Sequence, residues 1–544
     1  MTPIDPRKNQ WLTCLGLLML GWANLSSANY ILTGTIHNAI HPTQPISDAT
    51  LSLLLPDGSL SNIEATTDAQ GNFTLQLDTQ TATTNPNLAV AIEAPLFRPR
   101  EANVTLVATN TILLSPVNRF TYFQPVQLND GLSTGAIEDA YLDPEIIEQL
   151  MLKTVHTANG YQELHSLLIY KEGKLVVEEY YTGNNDYIDF EGGIVRRTGS
   201  PSQVQWGRTD RHYVASVSKA LTATVAGIAL ENYNKTPQTT IASLLPTYSS
   251  YFSNANKAAL TLHDLMTMQL GFVWDEWGSN DLALLWQSDD FTEFLLERNN
   301  NGPQSAWVYN SASPNMLLRG LDYLVSGSIR DYADTHFYSK LGITDYDWQS
   351  QPDGYPEGGA RMYMRPRDML KVGITYLQEG VWNGEQVIPT NWVDEVLQVQ
   401  VEGFAGDYSY FFWHRTLNGV DYLSADGDGG QYINIFPEEN MVIVMTQGNY
   451  LQWPLYVNQA NEMMADYIFP AIRTPARLSL QTILPNLALS WSTELTNYNL
   501  FSTTSLTPVA IWHPVTNTPT SQGDRWQVTL PMHEPAVYFQ LQSP

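Results

Sequence analysis

The sequence predicts an α+β protein in which a mixed helix-and-strand region is flanked by two smaller all-β regions. Three observations carry this. Residues 29–118 and 475–544 alternate short strand-like runs with turn clusters, and both lack lysine. Residues 119–474 interleave helical and strand patterns, and hold all eight lysines beyond residue 28 and ten of the fifteen tryptophans. Hydrophobic residues make up 43% of the 544 and charged residues only 15%, which is enough for a packed core and excludes disorder.

Residues 1–28 read as an export signal. Arg7 and Lys8 precede the apolar run Trp11–Ala23, and Ser26, Ser27 and Ala28 supply small residues for cleavage after Ala28 or Ala23. The run is short for a membrane span; an uncleaved N-terminal anchor is the alternative. Cys14, the single cysteine, lies inside this run, so the rest of the chain has no disulfide, Cys nucleophile or Cys metal site. The expected location is secreted or periplasmic, with no transmembrane segment after signal removal. A count of 55 acidic against 27 basic residues gives −28, which repels phosphate and excludes nucleic acid as a partner.

In residues 29–118, Tyr30–Ile36 and Ala49–Leu55 read as strands. Pro56-Asp57-Gly58 and Asp68–Asn72 read as turns, and the whole as a β-sandwich. The segments Pro45-Ile46-Ser47-Asp48-Ala49 and Thr66–Leu75 resemble carboxypeptidase-regulatory-type sandwich domains, a likeness that implies fold only. In residues 475–544, Leu487–Trp491, Trp526–Leu530 and Val537–Leu541 alternate as half-buried strands do. That region is similar to the fibronectin-like C-terminal modules of secreted bacterial enzymes. Either sandwich suits contact with a cell surface or a polymer.

The central region carries the chemistry. Ala215-Ser216-Val217-Ser218-Lys219 opens a small, apolar segment running to Leu230, which reads as a buried helix with Ser216 at its N-terminus. Residues three apart share a helix face, so Lys219 is placed beside the Ser216 hydroxyl. A serine is a weak nucleophile until a neighbouring base takes its proton. A lysine among apolar residues loses the hydration that favours its charge, and can then accept or relay a proton. Free N–H groups at the helix start suit a developing oxyanion. A capping serine with a snorkelling lysine would give the same spacing.

Two further segments join it. Trp307–Ser313 contains Tyr309, which beside a cationic lysine can serve as general base and then general acid. Leu423–Gln431, with Gly427, Gly429 and Gly430, joins two strand-like runs, and glycines at a strand edge let a substrate approach the backbone. Separately, Tyr309 reads as a core or turn residue, and the glycines as a tight bend.

Taken in order, these segments resemble the class C β-lactamase-related serine hydrolases, a broad family of β-lactamases, peptidases, esterases and 6-aminohexanoate-dimer hydrolases. Their pattern is Ser-x-x-Lys, then Tyr-x-Asn, then Lys/His-x-Gly on a strand. The flanks Thr261–Phe272, Met364–Gly373 and Gly380–Gly384 are similar too, so the likeness spans about 160–470. It implies a β-lactamase/transpeptidase-like antiparallel sheet with flanking helices and a helical subdomain. By the same resemblance, Ser216 is the nucleophile, Lys219 its activating partner and Tyr309 the general base and acid. The backbone N–H groups of Ser216 and Asp428 form the oxyanion hole, and Ser311 and Gly427 contact substrate. No cofactor and no metal are implied.

Two departures matter. Ser311 stands where the family has Asn, and Ala425, or Gly427 in another register, stands where it has a cation. A substrate carboxylate would meet Asp426 and Asp428 instead, which disfavours β-lactamase and D-alanyl-D-alanine peptidase activity. The reading is a hydrolase of small-molecule esters or amides on the esterase and 6-aminohexanoate-dimer hydrolase side of the family. The rival is a catalytically inactive surface or interaction protein on the same scaffold.

Other motifs are set aside. Gly131–Gly135 matches a nucleophile elbow but lacks a preceding strand, so Ser133 is expected to cap a helix beginning near Ala136. Asp426–Gly430 lacks the later acidic ligands of a calcium loop. His212 is expected to pack or cap. Trp274, Trp277, Trp307 and Trp413 either line an apolar pocket or fill the core.

Overall fold

The computed structural model describes residues 30–542, apart from 86, 156–159, 186, 190–195, 199–201, 403–405, 474–477, 484, 494, 497, 506–510, 524 and 532–536. The expected export signal therefore lies outside the described residues. No helix among the described residues is long and apolar enough to cross a membrane. The chain divides into two compact units, Met1–Arg119 with Val126–Leu132, and Phe120–Pro125 with Ser133–Pro544.

The first unit contains β1 (Tyr30–Asn38), β2 (Thr50–Leu54), β3 (Leu60–Thr66), β4 (Asn72–Leu77), β5 (Ala89–Glu93), β6 (Arg100–Asn103) and β7 (Asn110–Leu114). They form two sheets, ordered β4-β1-β7 and β3-β2-β5-β6. Alternate residues point inward, so Leu32, Ile36, Leu51, Leu53, Phe73, Leu75, Val90 and Ile92 share one core. The Asp68 carboxylate closes the predicted turn by accepting the N–H groups of Gln70 and Asn72 at 2.9 and 2.8 Å. The all-β expectation needs one correction. A short helix, α1 (Thr79–Thr84), follows β4, started by Asp78 accepting from the Thr81 N–H at 2.7 Å.

The second unit contains α2 (Pro144–Val155) and is built on a seven-stranded antiparallel sheet. Its strands are β8 (Leu164–Lys171), β9 (Lys174–Tyr180), β10 (Asp407–Ser409), β11 (Phe412–Leu417), β12 (Val420–Gly427), β13 (Gln431–Phe436) and β14 (Met441–Gln447), in the order β10-β11-β12-β13-β14-β8-β9. The first hairpin thus pairs with the last strand, and the chain between β9 and β10 inserts a segment that carries helices and short strands. That insertion holds α3 (Val217–Asn232), α4 (Ser313–Leu324) and α5 (Pro366–Leu377).

Both sheet faces are covered, which explains the near-continuous apolar runs of β8, β13 and β14. One face carries Leu167, Ile169, Ile443 and Met445, packed with Ile147 and Met151 of α2 and with Met463 and Met464. On the other, α5 comes so close that a Cβ at Gly373 would lie 2.6 Å from Val442 and 2.9 Å from Ile433. Arg367 of α5 ties to β9 by two 2.7 Å bonds to the Glu178 carboxylate, both side chains buried. Such a forked pair fixes orientation as well as position.

Ser133 does not cap a helix. Its carbonyl accepts the Leu175 N–H at 2.8 Å, and Thr134 bridges Leu175 beside β9. The turn that follows, Glu138–Ala140, starts after Ile137. Pairing to a sheet edge has won over local capping here. The C-terminal strands are β15 (Ser479–Ile483), β16 (Asn486–Ser492), β17 (Asn499–Thr503), β18 (His513–Pro514), β19 (Thr520–Gln522), β20 (Arg525–Pro531) and β21 (Tyr538–Gln542). They make two sheets, β15-β16-β20-β19 and β18-β17-β21, around Leu489, Trp491, Leu500 and Val528.

Candidate active site

The short strand His212–Tyr213 leads into α3 through Ala215, whose φ of 47° is rare for a residue with a Cβ. This sharp turn places Ser216 at the head of α3, a helix buried from Val217 to Leu230. The Ser216 side chain makes no capping bond, so it is not a structural N-cap. Lys219 is 1% exposed, so it does not snorkel. Its Nζ donates to Ser216 Oγ at 2.9 Å and to the Gly359 carbonyl at 2.7 Å, and lies 4.9 Å from the centre of the Tyr309 ring. The three expected catalytic residues thus converge.

Tyr309 is held by aromatic neighbours. Its ring stacks on Trp413 with centroids 6.1 Å apart and planes 16° apart, and Trp307 lies 6.2 Å away. Tyr408 meets Trp307 and Trp413 edge-on. Of the four tryptophans weighed for a pocket, Trp307 and Trp413 wall this site, Trp274 is buried beside it, and Trp277 is 72% exposed.

Gly427 ends β12, and a Cβ there would sit 2.3 Å from the Val214 carbonyl. Only glycine allows this strand end to lie so close to the chain leading into Ser216. Here the strand runs further than its sequence suggests, through Ser424 and Asp426 to Gly427, leaving a tight turn at 428–430. The polar residues are tolerated because each is partnered. Ser424 Oγ lies within hydrogen-bond reach of both the Asp426 carboxylate and the Asn434 amide, and Arg415 donates to Asp426 at 2.8 Å.

Those contacts correct the electrostatic expectation. The Asp426 charge is balanced by Arg415, itself 4.2 Å from the Trp413 ring centre. The Asp428 carboxylate accepts the Leu451 N–H at 2.9 Å and the Tyr456 hydroxyl at 3.1 Å. Repulsion of a substrate carboxylate is therefore weaker than two free aspartates would give. Ser311 is also reassigned. It is 3% exposed and gives both its N–H and its hydroxyl to Glu276, so its side chain faces the protein.

Sequence reasoning missed the frame around this centre. Asn315 donates to the Ser311 carbonyl at 3.0 Å and to Glu357 at 2.9 Å. The Glu357 carboxylate, fully buried, also accepts the N–H groups of Gly359, Ala360 and Arg361 at 3.1, 2.7 and 2.8 Å. It thereby folds the loop whose Gly359 carbonyl receives Lys219. The acidic residue beside two glycines at 357–359 was a signal, but in a Pro- and Gly-rich stretch it reads as an ordinary loop.

His212 packs, as expected, against the rings of Trp206 at 4.3 Å and His165 at 5.5 Å. Burial, and then the neighbouring His165, push its imidazole well below the ordinary 6.5. The fold therefore keeps His212 neutral where the unfolded chain would bind a proton. Its contribution to stability is complete above pH 6.5 and is lost as pH falls from there towards the depressed value. The Tm of the protein should fall more steeply between about pH 7.5 and about pH 5.5 than that of a folded His212→Phe variant. Equal slopes would contradict this account.

A β-lactamase-type sheet, a serine and lysine one helical turn apart, and a tyrosine over the lysine together define a hydrolase scaffold. A family model described as Beta-lactamase matches residues 163–456, and the chain belongs to that family. It is 24% identical over 274 residues to a 6-aminohexanoate-dimer hydrolase of Paenarthrobacter ureafaciens, covering 45% of this chain and 67% of the relative. Among solved structures it is similar to simvastatin synthase (LovD) from Aspergillus terreus, with a TM-score of 0.46 at 14% identity over 60% of this chain and 98% of that one. The octameric penicillin-binding protein homologue from Pyrococcus abyssi gives 0.46 at 12% identity over 74% and 96%. Among the described residues, no cluster of His, Cys, Asp and Glu is arranged to hold a metal ion.

Proposed function

We propose that the protein is a serine hydrolase that cleaves small esters or amides through an acyl-enzyme on Ser216. The observation that carries this reading is the 2.9 Å contact between buried Lys219 and Ser216 Oγ at a helix start. The Ser216 oxygen attacks the substrate carbonyl as its proton passes to the Tyr309 oxygen, which acts as the phenolate, with the Lys219 ammonium beside it balancing that charge. The oxyanion is met by the N–H groups of Ser216 and Asp428. The tetrahedral centre collapses, its bond to the alcohol or amine breaks, and Tyr309 returns the proton to that leaving group. Water then adds to the acyl carbon, giving its proton to Tyr309. The bond to Ser216 breaks, and Ser216 is reprotonated as the acid departs.

The aromatic wall of Tyr309, Trp307 and Trp413 favours an apolar or flat substrate group. Where family β-lactamases direct a cation at a carboxylate stands Ala425, or Gly427 in the other register, and Arg415 is occupied by Asp426. The name of the Paenarthrobacter relative supports an amide among the substrates. The basic flank, apolar run and small residues of 1–28 support action outside the cytoplasm. The terminal sandwiches suit attachment to a surface or polymer.

Purified protein should hydrolyse p-nitrophenyl butyrate with a kcat/KM at least about tenfold above its value for the β-lactam nitrocefin. Efficient nitrocefin cleavage would overturn the substrate assignment. A folded protein inert to esters and amides would favour the inactive-scaffold reading.

A further inference from the structure

Ser311 lies two residues after Tyr309, and both of its donors go to one group. Its N–H reaches Glu276 Oε2 at 3.0 Å, and its hydroxyl reaches Oε1. Trp274 Nε1 donates to the same carboxylate at 2.8 Å. Glu276 is 5% exposed, so its carboxylate is buried with these donors. Burial pushes its carboxyl up, and the Lys219 charge is the strongest influence drawing it back, ahead of the Ser311 and Trp274 bonds. The ionisable groups around this carboxylate are Lys219 on α3 and Tyr408 on β10, with Tyr309 beside Lys219, with Asp426 and Arg415 acting on Tyr408, and with the buried Glu357 carboxylate holding the Gly359 loop that receives Lys219.

A lone ammonium in a dry pocket is costly, and a nearby carboxylate offsets much of that cost. Lys219 donates to a hydroxyl and a carbonyl, neither of which carries a formal charge. We propose that Glu276 is a positioning residue that locks the Tyr309–Ser311 turn through Ser311 and supplies the negative charge balancing Lys219. Serine at 311, where the family pattern has Asn, suits this role: its short hydroxyl turns back to Glu276. The inference rests on the assignment of Ser216, Lys219 and Tyr309 as the reacting centre.

The test uses the full chain as wild type, Glu276→Gln and Glu276→Asp. The readouts are ester kcat and KM, and the rate at which a fluorophosphonate labels Ser216 as pH is varied. Glu276→Gln keeps the side-chain volume and removes the charge. Both kcat and the labelling rate should fall about tenfold or more, with KM little changed. The midpoint of the labelling profile should move to lower pH, because the lost anion favoured the protonated centre. Glu276→Asp keeps the charge and shortens the reach, so rates should fall with the midpoint unmoved.

Wild-type rates or an unmoved midpoint in folded Glu276→Gln would overturn the proposal, as would the same midpoint shift in both variants. If Glu276→Gln does not fold, Glu276→Asp decides: a lower rate at an unmoved midpoint supports the role, and a full rate contradicts it. Wild-type labelling at Ser216 without ester turnover would sink the ester assignment alone, and the labelling profiles would still decide on Glu276. Wild type that is neither labelled nor active would sink both.

Discussion

Ser216→Ala should abolish ester turnover, by about 10³-fold or more, without lowering stability. Two observations separate this from an ordinary helix-start substitution. Losing a capping serine costs about 1 kcal/mol, but the Ser216 side chain caps nothing. Its hydroxyl is engaged instead by Lys219 at 2.9 Å. Alanine is also a strong helix former at the start of a helix buried from Val217 onward. Lys219→Met should lose activity to a similar extent and remain folded, since an apolar side chain of similar length fills the same space. Kinetics and thermal melts on the two variants check this. Activity surviving either change in folded protein would contradict the assignment, and a large drop in Tm for Ser216→Ala would mark the serine as structural.

The second large effect is on stability. Glu357→Ala should destabilise the protein by about 3 kcal/mol or more, because several buried donors lose their acceptor together. One carboxylate oxygen takes Asn315 and Gly359, and the other takes Ala360 and Arg361. Glu357→Gln should be nearly as harmful, because its amide nitrogen must face a pair of N–H donors in either orientation. Both variants should also lose turnover, since the Gly359 carbonyl would leave its place 2.7 Å from Lys219. Denaturant unfolding with activity assays gives both quantities. A neutral Glu357→Gln would show that this carboxylate does not hold the loop.

The parts of this site that were legible in the sequence are those set by local spacing. Ser216 and Lys219 are one helical turn apart, and the apolar run after them has few alternatives to a buried helix. Alternation found the strands of both all-β regions because each buries one face. The parts that were hidden depend on contacts between distant segments. Glu276 meets Ser311 across 35 residues and Glu357 meets Asn315 across 42, so the partner of each acid is distant in sequence. Asp426 read as a repelling charge because its partner Arg415 lies on the neighbouring strand. Ser133 read as a cap because its bond to Leu175 is made through the sheet edge.

The central claim is that Ser216 is an activated nucleophile. Its most direct test is to treat the folded protein with a fluorophosphonate, digest it and locate the adduct by mass spectrometry. A single adduct on Ser216, absent after Lys219→Met, is the predicted result. An unlabelled Ser216 in folded protein, or an adduct on Ser133 or another serine, would contradict it.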